Sequence, residues 1–228
     1  MTVIATQTQH YSNVVKREFG VEWAYAKKMI TFNGAAATLQ IGAVLGSYIA
    51  SPTATAAAMV GTGNATAGTL SAVANQFLQL GAYTVSMLTA TTFVVLDPQG
   101  DAIGTGATGT AFKANGLTFT VTAGGTAAVA GDTITITVGG TTKYKLVEAT
   151  ATDGTQVARV VMVGDAQGRP MPTATTANTD VQMLVIYRGP VAVQDIGLSY
   201  GASVTAGALT AAAQAQLVAA GIDVLTGL

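Results

Sequence analysis

The sequence predicts a mainly β protein: a β-rich α+β chain with one C-terminal helix and an inserted small all-β module. Three observations predict it. Runs rich in β-branched and aromatic residues recur from about residue 81 onward. Two of them, LTFTVT (117–122) and TITITV (133–138), alternate with the period of two that buries one strand face. Glycine-bearing punctuation separates the runs, at DPQG (97–100), ANG (114–116), AGG (123–125) and AGD (130–132). Finally, one stretch alone, TAGALTAAAQAQLVAAG (205–221), has a convincing helical pattern.

Taken in order, residues 1–34 stand apart. They hold the only Trp (Trp23), the only His (His10) and four of the ten basic residues. VVKREFGVEWAYAKKMITF (14–32) mixes aromatic and charged positions with no clean period. From the residues alone it is a weak strand, a short helix, or an arm that orders on a partner. Trp23, Tyr25 and Phe32 serve equally well as core or as interface anchors.

Between Lys28 and Asp97 there is no charged residue. The most apolar window, 35–60, is mostly Ala, Thr and Gly with Gln40, Ser47, Ser51 and Pro52, too polar for a membrane span. The first residues lack the basic lead and apolar core of a signal peptide.

The module at 81–138 contains YTVSML (83–88) and FVVL (93–96) as further strands, and DPQG has the residue order of a type I turn. Beyond VGGTT (138–142), QVARVVMV (156–163) and VQMLVIY (181–187) are apolar strands, the second ending at Pro190. In the helix, Thr205 is the expected N-cap, Leu209, Ala213 and Leu217 share a face, and Gly221 closes it with Ile222 packing back.

Half the residues are hydrophobic and 9% are charged, against about 25% in ordinary soluble domains. A surface so short of charge is expected to meet other protein. The net charge of −1 and sparse Lys and Arg give no footprint for nucleic acid. Cysteine is absent, which excludes disulfides and thiolate metal sites.

Two motifs imitate catalytic sites. Gly104, Gly106 and Gly109 spell G-x-G-x-x-G, but a strand-like segment follows where a dinucleotide site needs a helix N-terminus. GLSYG (197–201) has the form G-x-S-x-G, yet His10 lies far upstream of Ser199 instead of downstream. Asp97 and Asp101 flank a turn without the order of a calcium loop. No catalytic residue, cofactor site or metal site is assigned, and the chain is not expected to be an enzyme.

Four motifs, in order, carry a family resemblance: GAVLG (42–46), DGTQVA (153–158), YRGP (187–190) and GIDV (221–224), the last closing the helix. This arrangement resembles the lambda-type head decoration, or cement, proteins of tailed bacteriophages. The 81–138 module, with its GAYTV, FVVLDPQG, IGTG and GLTFTVTAG stretches, resembles an insertion in longer members. The resemblance implies an N-terminal capsid-binding arm (1–34), a decoration core (35–80 and 139–228) and the inserted module (81–138). It further implies a homotrimer seated at three-fold and quasi-three-fold sites on the outer surface of the expanded head, assembled in the host cytoplasm. There it would bridge major capsid subunits, with no nucleic acid, membrane or cofactor involved.

On this reading Val14, Phe19, Val21, Trp23, Tyr25, Met29 and Phe32 are the capsid-binding candidates. Tyr187, Arg188 and Pro190 are trimer or core contacts. The rival expectation is another extracellular β-structural protein, such as a tail or fibre component or an adhesin, for which the same Thr/Gly/Ala-rich strands would serve.

Overall fold

The computed structural model describes residues 11–18, 26–205 and 207–226, and the fold is mainly β. Two compact units divide the chain, residues 1–48 with 142–228 and residues 49–141. A short turn of helix, α1 (Tyr11–Val14), leads into β1 (Val15–Glu18), β2 (Lys27–Phe32), β3 (Ala37–Leu39) and β4 (Val44–Ala56). β4 carries the chain into the second unit. There follow β5 (Thr66–Ala72), β6 (Gly81–Met87), β7 (Thr92–Leu96), β8 (Ala102–Ala107), β9 (Ala111–Ala114) and β10 (Leu117–Thr122). β11 (Thr133–Leu146) returns to the first unit, followed by β12 (Val160–Gly164), β13 (Thr173–Thr175), β14 (Val181–Ile186) and β15 (Val191–Gln194). A 3-10 turn at Asp195–Gly197, the helix α2 (Ala208–Ala219) and β16 (Ile222–Leu225) complete it.

In the first unit β14 lies between β2 and β12, and β12 between β14 and β4. β12 is buried at all its residues, as expected of VVMVG in the middle of a sheet. A second sheet places β15 between β1, antiparallel, and β16, parallel. Ala213 and Leu217 of α2 join Ile41, Val161, Val193 and Ile222 in one core, while Phe32, Leu45, Met162 and Met183 centre another.

In the second unit β6, β7 and β8 form an antiparallel meander, with β11 on the other side of β6. A smaller sheet, β5-β10-β9, supplies the opposing layer. Tyr83, Val85 and Met87, with Ile134 and Ile136, meet Leu117, Phe119 and Val121 in a single core. The period-two alternation read from these strands is the alternation between that core and solvent. DPQG turns as expected, with the Gly100 N–H donating to the Asp97 carbonyl at 2.9 Å. The two asparagine–glycine residues of the β9–β10 hairpin, Asn115 and Gly116, both have positive φ (50° and 81°), the requirement of a tight two-residue turn.

Three differences from the sequence reading have physical causes. Residues 49–80 belong with the 81–138 module, because Ile49, Ala65 and Leu78 are buried in its core and β5 pairs with β10. Part of the segment expected as an arm is framework: β2 pairs with β14 along its length, from Lys27 opposite Ile186 to Phe32 opposite Val181. The helix begins at Ala208 rather than beside Thr205, because Gly207 is its N-terminal flank with φ of 93° and no side chain caps it. At the other end Gly221 is left-handed (φ 80°), as expected, and Ile222 is fully buried.

These boundaries decide where the chain can be cut. Replacing residues 49–141 by a short Gly/Ser linker is expected to leave a cooperatively melting β protein by circular dichroism. Removing 81–138 alone strips the cover from Ile49, Ala65 and β5, and that variant is expected to aggregate.

Candidate interaction surface

The contact residues nominated by sequence fall in very different places. Val14 is fully buried and Val15 is 7% exposed, both in the core with Ile41, Val44, Val191 and Val193. β1 follows directly, Val15 opposite Val193 and Glu18 opposite Val191, with an irregular register between Val15 and Arg17. β16 occupies the far side of β15, so β1 is one of the two edges of its sheet among the described residues. An edge strand presents unpaired N–H and C=O groups to an incoming strand.

Phe32 is also in the core, its ring so close beneath Gly34 that a Cβ there would come within 2.6 Å. Met29, on β2, is 44% exposed. Phe19, Val21, Trp23 and Tyr25 lie outside the described residues. Tyr187 is half-buried, with the Lys28 ammonium 4.8 Å and the Arg188 guanidinium 4.9 Å from its ring centre. Arg188 and Pro190 are exposed. The backbone of Gly189 presses directly on that of Gly221, where no Cβ would fit.

A second surface could not be read from any motif. From Asp195 to Asp223 there is no charged residue between the two, although this span includes α2. Only Ala213 and Leu217 of the helix are buried, and the Gln216 side chain accepts a hydrogen bond from the Ala158 N–H at 2.7 Å. Leu209, Val218 and Ile196 remain exposed, Ile196 at 77%. A surface helix without charge is poorly suited to bulk water and well suited to another apolar face.

The imitations of catalytic motifs resolve into packing. Gly104 and Gly106 lie on β8, and a Cβ at Gly106 would come within 2.5 Å of the Phe93 ring. Phe93, Phe112 and Phe119 pack with ring centres 5.1 to 6.2 Å apart, and these glycines make room for them. Ser199 is tied by its backbone, its N–H to the Gly42 carbonyl and its carbonyl to the Val44 N–H. His10 lies outside the described residues. Among the described residues no three His, Asp or Glu side chains gather to hold a metal ion, and no helix is long and apolar enough to cross a membrane.

The carboxylates hold loops. Asp132 accepts the N–H groups of Val129, Thr62 and Gly63, which keep its carboxyl more acidic than an ordinary aspartate. Burial would raise Glu148, but the Ser203 hydroxyl and the Ser203 and Ala202 amides outweigh it, and the carboxyl is held low. Asp153 and Asp165 follow the same pattern: burial opposes, while Thr155 with Lys145, and Arg169 with Gln167, prevail.

No family model matches the chain, and no curated protein does. Two crystal structures of Xanthomonas campestris FlgL, in space groups H3 and C2, align at 24% identity with a TM-score of 0.32, over 45% of this chain. The aligned part spans about a third of FlgL, 34% and 33% in the two structures.

Two outcomes follow from this chemistry. Gly106→Val drives a side chain into the Phe93 ring and is expected to destabilise the second unit by about 1–3 kcal/mol in chemical denaturation. The lowered carboxyls favour the fold when ionised, so their contribution is whole above the ordinary carboxylate range near pH 4 and drains away as pH falls below it. The melting temperature is therefore expected to hold from pH 7 to about 5 and drop below about 4. Glu148→Gln should lower the melting temperature at pH 7 and shrink the acid drop.

Proposed function

We propose that the chain is a trimeric capsid decoration protein that stabilises an expanded phage head by bridging major capsid subunits, and that it catalyses no reaction. The observation that carries this reading is the convergence of the motifs behind the family resemblance. GAVLG and DGTQVA touch where Gly46 lies against the Thr155 backbone, a Cβ meeting the Thr155 carbonyl oxygen at 2.5 Å. YRGP and GIDV touch where Gly189 presses on Gly221, and the strands that follow pair, Val191 opposite Ile222 and Val193 opposite Val224. Residues far apart in sequence thus meet in two backbone-to-backbone contacts.

That framework supports both contacts the function needs. β1 hangs on β15, and Val14 and Val15 are buried in the core, so a strand added at its edge would be firmly anchored. Backbone pairing of this kind needs little side-chain charge, in keeping with the composition. Each hydrogen bond contributes only about 1 kcal/mol net, but three chains in a trimer raise the effective concentration of the later contacts. The uncharged face of α2 and Ile196 is the surface we assign to contact between copies.

Sedimentation of the purified chain is expected to give a trimer that co-pellets with expanded, empty heads of its phage. Deleting residues 1–10 should leave the melting curve intact and weaken head binding at least tenfold. Ile196→Lys together with Val218→Lys should shift the trimer toward monomer. A monomeric wild-type chain that ignores expanded heads would refute the proposal, and end-to-end filaments would favour a fibre component.

A further inference from the structure

Asn33, Tyr48, Lys143 and Asp180 are scattered through the sequence but meet at one point of the first unit. The Asn33 side-chain amide donates to Asp180 Oδ1 at 2.6 Å, and the Lys143 ammonium contacts the same oxygen at 2.7 Å. One shared oxygen therefore holds the lysine and amide nitrogens within about 5 Å of each other. The Tyr48 hydroxyl stands 3.3 Å from Asn33 Oδ1, across the amide from the carboxylate, and at the same distance from the Asn33 backbone carbonyl, so its proton is shared between the two. This fixes the amide's orientation, since a flip would set its oxygen against Asp180 and its NH₂ against the hydroxyl.

The backbone around this point is pinned as well. The Asn33 N–H donates to the Tyr144 carbonyl at 2.9 Å, and Phe32 pairs with Tyr144. The Lys143 side chain is only 20% exposed, while Asp180 is 50% exposed. Lys145, over the Tyr48 ring at 4.0 Å, places positive charge beside the hydroxyl donor.

We propose that this cluster is a self-modification site, where Lys143 and Asn33 join in an intramolecular isopeptide bond. Each part has a role: Lys143 Nζ is the nucleophile, Asn33 Cγ the electrophile, the Tyr48 hydroxyl the donor to the developing oxyanion, and Asp180 the proton carrier. Asp180 takes a proton from the Lys143 ammonium, and the neutral Nζ attacks Cγ to form the Nζ–Cγ bond. The second proton passes from Nζ to Nδ2 as the Cγ–Nδ2 bond breaks, and Asp180 returns the first to the departing ammonia, so that ammonium is released and the carboxylate is regenerated. One amide replaces another, so no oxidant, reductant or co-reactant is consumed. The new bond closes a covalent ring through residues 33–143 and ties the end of β2 to β11.

The test is mass spectrometry of the purified full-length chain, denatured after folding. The expected result is a mass short of the sequence value by one ammonia, with a branched tryptic peptide joining the Asn33 and Lys143 segments. Lys143→Arg and Asp180→Ala, shown to be folded by circular dichroism, should each return to their own full sequence mass. A folded wild-type chain at its full sequence mass after prolonged incubation would overturn the proposal. So would an ammonia loss that survives Lys143→Arg, because that identifies a succinimide at Asn33–Gly34.

Discussion

The contact of Gly189 with Gly221 is the constraint on which much of the first unit rests. It brings two backbones together with no room for a β-carbon, and from there Val191–Gln194 and Ile222–Leu225 run on as paired strands. α2 can return to the sheet only because Gly221 takes a left-handed conformation and delivers Ile222 straight into the core. β1 then pairs with the free side of β15. The N-terminal segment is thus attached through a contact far away along the chain: a side chain at Gly189 would drive the two backbones apart, while Gly221 is required for its left-handed φ of 80°.

With so few charged residues, the chain uses several of its carboxylates to fix loops. Asp132, Glu148, Asp153 and Asp165 each gather several N–H or hydroxyl donors from a loop. A carboxylate that accepts two or three such bonds replaces the hydrophobic contacts that a short polar loop cannot make. The outer surface is left to Ala, Thr, Gly and Gln, which suits close approach by another backbone better than it suits long-range steering by charge.

How much of this was legible depended on residue size. β6, β7, β10 and β11 were legible because Tyr, Phe, Val and Ile alternate with Thr and Ser along them. β4 was not. VLGSYIASPTATA alternates partly with small side chains, holds Pro52, and has Ser51 at a positive φ of 49°. Its tail and β5 carry no strand signal of their own, so the sequence alone leaves them with the decoration core and sets the module boundary at 81, where the structure sets it at 49. Of the glycines of G-x-G-x-x-G, Gly109 serves a turn at φ 79°, while Gly104 and Gly106 make room for the rings of Phe112 and Phe93, a tertiary contact invisible locally. The same holds for Asn33, Tyr48, Lys143 and Asp180, which no spacing rule would group.

The way the second unit joins the first has a consequence for descent and for engineering. A Cβ on Gly140 would strike Ile49, and one on Gly139 would come within 2.8 Å of the Thr53 hydroxyl, so the unit's entry and exit strands run side by side. A segment whose two ends already touch can be exchanged as a cassette by recombination at two joints. Foreign domains with neighbouring termini are natural cargo for the same socket.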